Sequence, residues 1–244
     1  MVPVEDPFEI HRSGLSRFLV RVDAADEVLP LLRSWAAAEL PPPRPLLGGR
    51  GGVGLYDVGS MRSVVLRPCR RGGLVARLNR DVYYGLRSRP FREVRRTEEL
   101  RRRGVPTVEM LGAGVRWIAP AAYKAVVASV YAVGAINLWE YLRASSAAER
   151  VRACQLVADA TRILHDAGGV HRDLNLQNYL VRRRHGETEV LIIDCDRVVL
   201  RRVEDRDRRA AFDRVCRSIR RLDPESAVLS FECVEALRRI GDPA

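Results

Sequence analysis

The chain has 244 residues, 47% of them hydrophobic, and a formal net charge of +11. That length holds one large domain or two small lobes, and that apolar share is enough for a core, which excludes collagen-like, mucin-like and wholly disordered chains. Of its 42 basic residues only Lys124 is a lysine, and the arginine surplus predicts attraction to phosphates, nucleic acids or anionic lipid surfaces.

Residues 1–22 read as a leader packed on the first lobe; with early acids and no apolar run they do not read as a signal peptide. Asp26 to Leu40 reads as a short helix, with Val28, Leu31, Leu32 and Trp35 at helical spacing and Pro30 in its first turn, stopped by Pro41-Pro42-Pro43. A glycine cluster, Gly48 to Gly54, precedes a strand at Ser63–Arg67, and Gly72-Gly73 turns the chain toward Leu74-Val75-Ala76. A helix is predicted from Pro90 to Arg103, closed by Gly104, and then short strands at 106–110, 114–118 and 123–129. The weakly polar stretch from Trp117 to Trp139 is long enough for a membrane span, but it holds Lys124, Asn137, Pro120 and Gly134, and reads as buried strands feeding a helix.

Ser146 to Ala167 is the clearest helix, with Val151, Cys154, Leu156 or Val157, Ile163 and Leu164 at its spacing. A polar loop (170–178), a strand (178–182), a turn at His185-Gly186 and a strand (189–193) follow, then two tail helices, the second capped by Asp223. The fold class is α+β: a leader and short helix over residues 1–45, a β-rich lobe over 46–130 and a helical lobe over 131–244, with a cleft between the lobes. The five cysteines, Cys69, Cys154, Cys195, Cys216 and Cys233, include no C-x-x-C pair, so neither a disulfide framework nor a zinc site is expected and a reducing compartment fits best.

The chemistry is carried by His171-Arg172-Asp173-Leu174-Asn175-Leu176-Gln177-Asn178, of the form H-R-D-L-x-x-x-N, followed by an apolar strand ending at Asp194. Phosphoryl transfer needs a carboxylate at the acceptor hydroxyl and a neutral oxygen donor for metal further along the loop; Asp173 and Asn178 meet that spacing. An acid at the end of an apolar strand is placed to hold Mg²⁺, which assigns Asp194 with Asn178 as metal ligands. His165 reads as a buried structural histidine, and His171 and Arg172 as groups that shape the loop.

On these motifs residues 46–222 resemble the eukaryotic-like kinase superfamily. The resemblance implies a two-lobed protein-kinase-like fold, ATP as phosphate donor, and a phosphate-covering loop with Gly49, Arg50, Gly51 and Gly52. It also implies an Arg67–Glu93 ion pair where the superfamily has lysine and glutamate, with Arg67 gripping phosphate. Within the superfamily, Arg67-Pro68-Cys69-Arg70-Arg71-Gly72-Gly73-Leu74-Val75, Asp194-Cys195-Asp196 and the Asp213–Leu222 segment resemble the lipopolysaccharide kinase (Kdo/WaaP) family, Kdo being 3-deoxy-D-manno-octulosonic acid. No A-P-E signature and no room for a long activation segment follow Asp196.

That resemblance implies ATP- and Mg²⁺-dependent phosphorylation of a hydroxyl on the Kdo sugar of Kdo–lipid A, with Asp173 as base. The partner is then an anionic glycolipid rather than a nucleic acid, met at the cytoplasmic face of the inner membrane by a peripherally bound protein. Arg101–Arg103, Arg182–Arg184 and Arg201-Arg202 are candidate surface contacts. A heptose kinase of the same family, a small protein kinase and a nucleic-acid-binding module are the alternatives; the last lacks basic stretches interleaved with aromatics.

Overall fold

The computed structural model describes residues 6–44, 53–59, 62–69, 81–85 and 88–243. It divides into two units, Met1–Arg95 with Glu109–Tyr131, and Arg96–Val108 with Ala132–Ala244.

The first unit is built on an antiparallel sheet. Its strands are β1 (Phe8–Ser13), β2 (Ser16–Arg21), β3 (Gly54–Val58), β4 (Arg62–Pro68), β5 (Tyr83–Tyr84), β6 (Met110–Ala119) and β7 (Ala122–Val130). Among the described residues the order is β1-β2-β6-β7-β4-β3, with β5 also pairing with β7. Residues 8–21, read from sequence as a leader, are thus an edge hairpin of this sheet, because β2 pairs across the chain with β6. Helix α1 (Ala25–Ala37) lays Val28, Leu31 and Leu32 on Phe18, Val20, Leu111 and Val126, a one-sided stripe at helical spacing. Pro30 falls inside α1 rather than in its first turn.

The strand expected at 106–110 does not form, Thr107 making only an isolated bridge to Ile192, and the one expected at 114–118 is part of a longer strand, β6, that starts at Met110 and runs through Gly112 and Gly114. Glycine is required there rather than a breaker. A Cβ on Gly112 would strike the Leu19 carbonyl, and one on Gly114 would lie 3.1 Å from the Trp35 ring. The Trp117–Trp139 stretch is the end of β6, β7, β8 (Ile136–Asn137) and the start of α3 (Leu138–Ala144). No helix among the described residues is long and apolar enough to cross a membrane. Helix α2 (Arg89–Arg102) begins in the first unit.

The second unit is mostly helical and is organised around α4 (Ala147–Asp166). Ser146 and Glu149 form its capping box, and Ala153, Cys154, Val157, Ala158, Thr161 and Leu164 face the core. Ile163, expected inward, is 42% exposed, and Val157 rather than Leu156 is the buried neighbour. The strands β10 (Tyr179–Arg184) and β11 (Glu187–Ile192) form a hairpin with β8 on its edge. His185 and Gly186 both turn with positive φ, the geometry a two-residue hairpin demands. The expected loop at 170–178 starts with a short strand, β9 (Gly169–His171), which pairs with β12 (Val198–Leu200).

Helices α5 (Asp205–Leu222) and α6 (Phe231–Arg238) close the unit. Asp223 is the C-cap of α5 and not the N-cap of the next helix. Its buried carboxylate accepts the backbone N–H groups of Ala227, Val228 and Leu229, and α6 starts later, capped by Ser230. The sequence Asp-Pro-Glu has the form of a helix start, but the carboxylate satisfies a turn of backbone instead. The five cysteines are free.

His165, on the last turn of α4, is 3% exposed. Burial lowers its pKa to about 4, aided by Arg208 and opposed by Asp166 and Asp207. The ring is therefore neutral in the folded chain at neutral pH, while the unfolded chain takes up a proton near pH 6.5. Stability from this group is present above pH 6.5 and is lost as pH falls toward 4, by on the order of 3 kcal/mol. Urea unfolding at pH 7.5 and 4.5 should show a smaller loss of stability in His165→Leu than in the wild type; equal losses would contradict the assignment.

Candidate active site

The segment after β9 is shaped by its own polar side chains. His171 Nδ1 accepts the Asp173 N–H at 3.2 Å, and Asn175 Oδ1 accepts the Gln177 N–H at 2.9 Å. Two amides then converge on one carbonyl: Asn175 Nδ2 and Asn178 Nδ2 donate to the Asp173 oxygen at 3.0 and 2.8 Å. The Leu176 N–H donates to Ser218 Oγ at 3.3 Å, which ties the loop to α5. With its backbone so held, Asp173 presents its carboxylate outward, 56% exposed.

Asn178 stands where this loop enters β10. Its NH₂ is committed to Asp173, which leaves Oδ1 as the acceptor end of the amide. In the β10–β11 hairpin Tyr179 lies opposite Ile192, and the Ile193 N–H donates to the Asn178 carbonyl at 2.9 Å. Asn178 and Asp194 therefore leave the hairpin from adjoining positions. Asp194 has φ +63° and ψ +45°, a left-handed conformation that is costly for a residue with a Cβ. It opens a tight turn, Cys195–Arg197, whose buried Cys195 anchors it in the core. Beyond the turn His171 pairs with Val198, and the Arg172 N–H donates to the Arg197 carbonyl at 3.3 Å. Two antiparallel ladders thus clamp the 171–178 and 193–198 segments together.

Burial pushes the pKa of His171 down, against the Ile193 carbonyl and the negative charges of Asp194, Asp173 and Asp196. The ring is a neutral support under the loop, as the sequence reading has it, and Arg172 is exposed. A cation that the sequence reading passed over also sits here. Arg197 Nη1 lies 3.5 Å from Asp173 Oδ2, with each side chain more than half exposed. Its only sequence signal is its position directly after Asp194-Cys195-Asp196.

The oxygen-only set of Asn178 Oδ1 and the Asp194 carboxylate fits a hard cation such as Mg²⁺. No group of three His, Cys, Asp or Glu side chains among the described residues could hold a metal by itself. An ion here would rely on the amide oxygen and on oxygens of a bound phosphate or water, which suits magnesium's habit of keeping outside ligands.

In the first unit Arg67 projects from β4, where it pairs with Val127 of β7. Its guanidinium forms an ion pair with Glu93 of α2, whose carboxylate is buried while the arginine remains partly exposed. A buried carboxylate bound to a half-exposed guanidinium fixes the direction of the cation. Gly49, Arg50, Gly51 and Gly52, and the Gly72-Gly73 turn, lie outside the described residues.

Comparison with known proteins adds four findings. Residues 48–232 match the model of the lipopolysaccharide kinase (Kdo/WaaP) family. A 3-deoxy-D-manno-octulosonic acid kinase of Xylella fastidiosa (strain 9a5c) is 32% identical over 206 residues, 81% of this chain and 78% of its own length. One from Xanthomonas oryzae pv. oryzae (strain PXO99A) is 33% identical over 212 residues, covering 83% of this chain and 78% of the relative. Among solved structures, WaaP in complex with acyl carrier protein superposes with a TM-score of 0.54 at 15% identity, over 86% of this chain and 82% of that one, a likeness of fold.

Proposed function

The chain belongs to the lipopolysaccharide kinase (Kdo/WaaP) family, and we propose that it transfers the γ-phosphoryl group of ATP to a hydroxyl of the Kdo sugar of Kdo–lipid A. The observation that carries this reading is the convergence of Asp173, Asn178 and Asp194 on one small region of the second unit, held by the two ladders. The similarity to relatives named as Kdo kinases supplies the acceptor.

In the reaction the acceptor hydroxyl oxygen bonds to the γ-phosphorus as the bond to the β–γ bridging oxygen breaks. ADP leaves, and the hydroxyl proton passes to the Asp173 carboxylate. Asp173 is the outward-facing acid of the loop, and orienting the hydroxyl is its first task. Asn178 and Asp194 would hold Mg²⁺, which, when bound, neutralises charge on the phosphate oxygens. In the first unit Arg67 is assigned to the nucleotide phosphates, with Gly49, Arg50, Gly51 and Gly52 as the phosphate-covering loop. Glu93 is a positioning residue that acts through Arg67.

The acceptor sugar is itself an acid, and it must approach a region already holding Asp173, Asp194 and Asp196. Arg197, beside Asp173, is the cation to receive its carboxylate. The reading extends to a two-lobed protein-kinase-like architecture, with residues 46–130 as the nucleotide lobe and 131–244 as the catalytic lobe. It has no long activation segment, and the protein works from the cytoplasmic face of the inner membrane.

Incubation with ATP, Mg²⁺ and either Kdo–lipid A or heptosylated core, followed by mass measurement of the lipids, should show one added phosphate on Kdo–lipid A. Phosphate on the heptosylated core alone would move the acceptor to heptose. In the same assay Asp173→Ala should lose roughly 10²–10⁴-fold in rate while still binding nucleotide, and Asp194→Ala should lose Mg²⁺-dependent nucleotide binding. Full activity in the first variant, or unchanged affinity in the second, would remove that residue from its role. Arg197→Gln should lower kcat/KM roughly 10- to 100-fold through the KM of the acid sugar, with the KM of ATP unchanged; a rise in the ATP KM instead would place Arg197 on the nucleotide.

A further inference from the structure

The arginine surplus is not spread evenly once the ion pairs are assigned. The contiguous runs singled out in the sequence are largely neutralised. Arg102 meets Glu98 and Arg103 meets Glu99, Arg182 meets Glu189, Arg183 meets Glu149, and Arg201 meets Asp207 through two bonds of 2.7 and 2.6 Å. An arginine already held by a carboxylate contributes little field to a distant anion.

Helix α5 is different. Its inner face buries Asp207, Arg208, Ala211, Val215 and Ser218. The opposite face carries Arg209, Arg217, Arg220 and Arg221, all exposed, and none has a carboxylate within 4.0 Å among the described residues. At 100° per residue these four fall on one side of the helix, with Asp213 as the acid among them. Cys216 reports the same clustering, since its surroundings include Arg220, Asp213 and Arg217. From Arg209 to Arg221 the stripe is roughly 18 Å long at 1.5 Å per residue. Only Arg220 and Arg221 are adjacent in sequence; the helix brings Arg209 and Arg217 onto the same side.

We propose that this outer face of α5 is a docking surface for the anionic headgroup phosphates of a membrane. Charge complementarity argues for that partner, and the lipid-bound acceptor assigned to this chain selects a bilayer over other polyanions, so the choice rests on that functional reading. The face has no large apolar residue to insert, which makes the attachment electrostatic, reversible and sensitive to salt.

The test is co-sedimentation of the full chain with vesicles of phosphatidylcholine alone or with about one third phosphatidylglycerol, at low and high salt, a composition chosen for the surface potential it creates. The wild type should bind only the anionic vesicles and release them at high salt. The triple variant Arg217→Gln, Arg220→Gln, Arg221→Gln should bind roughly 100-fold more weakly, about fivefold per arginine. A control of equal charge change, Arg102→Gln, Arg103→Gln, Arg183→Gln, should retain most of the affinity. Equal loss in both variants, or no binding of anionic vesicles by the wild type, would overturn the proposal, as would loss of RNA binding in the α5 variant with vesicle binding intact.

Transfer to detergent-dispersed Kdo–lipid A separates the surface from the function. The α5 variant should match the wild type there. If the wild type fails to phosphorylate that lipid yet vesicle binding depends on α5, the docking surface stands and the assigned acceptor falls.

Discussion

One backbone hydrogen bond, from the Ile193 N–H to the Asn178 carbonyl, joins the two halves of the candidate site. It closes the open end of the β10–β11 hairpin, so the residue that ends the H-R-D loop and the residue that ends the second strand start from neighbouring positions. The rest follows from that joint. Asn178 can reach back to the Asp173 carbonyl, which fixes the acid that faces outward. Asp194 can turn away from the strand only through a left-handed backbone, and the buried Cys195 and the β9–β12 ladder hold that costly geometry.

The electrostatics of the chain divide along the same line. Acid is concentrated where a cation and phosphates would be handled, with Asp173, Asp194 and Asp196 around a buried neutral His171. Among the described residues most arginines elsewhere are engaged, some structurally: Arg150 donates to the Leu142 and Val228 carbonyls, and Arg201 holds the carboxylate of Asp207 well below the usual range, at about pKa 2. Each ion pair removes one charge of either sign and leaves the formal charge of +11 unchanged, so what pairing decides is where the unpaired arginines lie, and the outer face of α5 gathers four of them.

Where structure is determined locally, the sequence is readable. Ser146 and Glu149 announce the start of α4, His185-Gly186 announces the hairpin, and the H-R-D-L-x-x-x-N spacing is the spacing of a loop that hydrogen-bonds to itself. Where distant segments decide, it is not. Residues 8–21 become strands through pairing with β6, far along the chain. Gly112 falls in the gap between two expected strands, yet it and Gly114 are both inside β6, where Leu19 and Trp35 approach from other elements. Asp223 has the local chemistry of a cap, and the backbone of 227–229 claims its carboxylate. Arg197 was hidden for a related reason: its meaning comes from Asp173, brought beside it by the β9–β12 pairing.

The central claim is that Asn178 and Asp194 together hold the divalent cation that accompanies the nucleotide at Asp173. A crystal structure of the chain with Mg²⁺ and a non-hydrolysable ATP analogue tests it most directly. The account predicts the metal bound by Asn178 Oδ1 and the Asp194 carboxylate, with the terminal phosphate facing Asp173. A metal and nucleotide seated away from these three residues would contradict it.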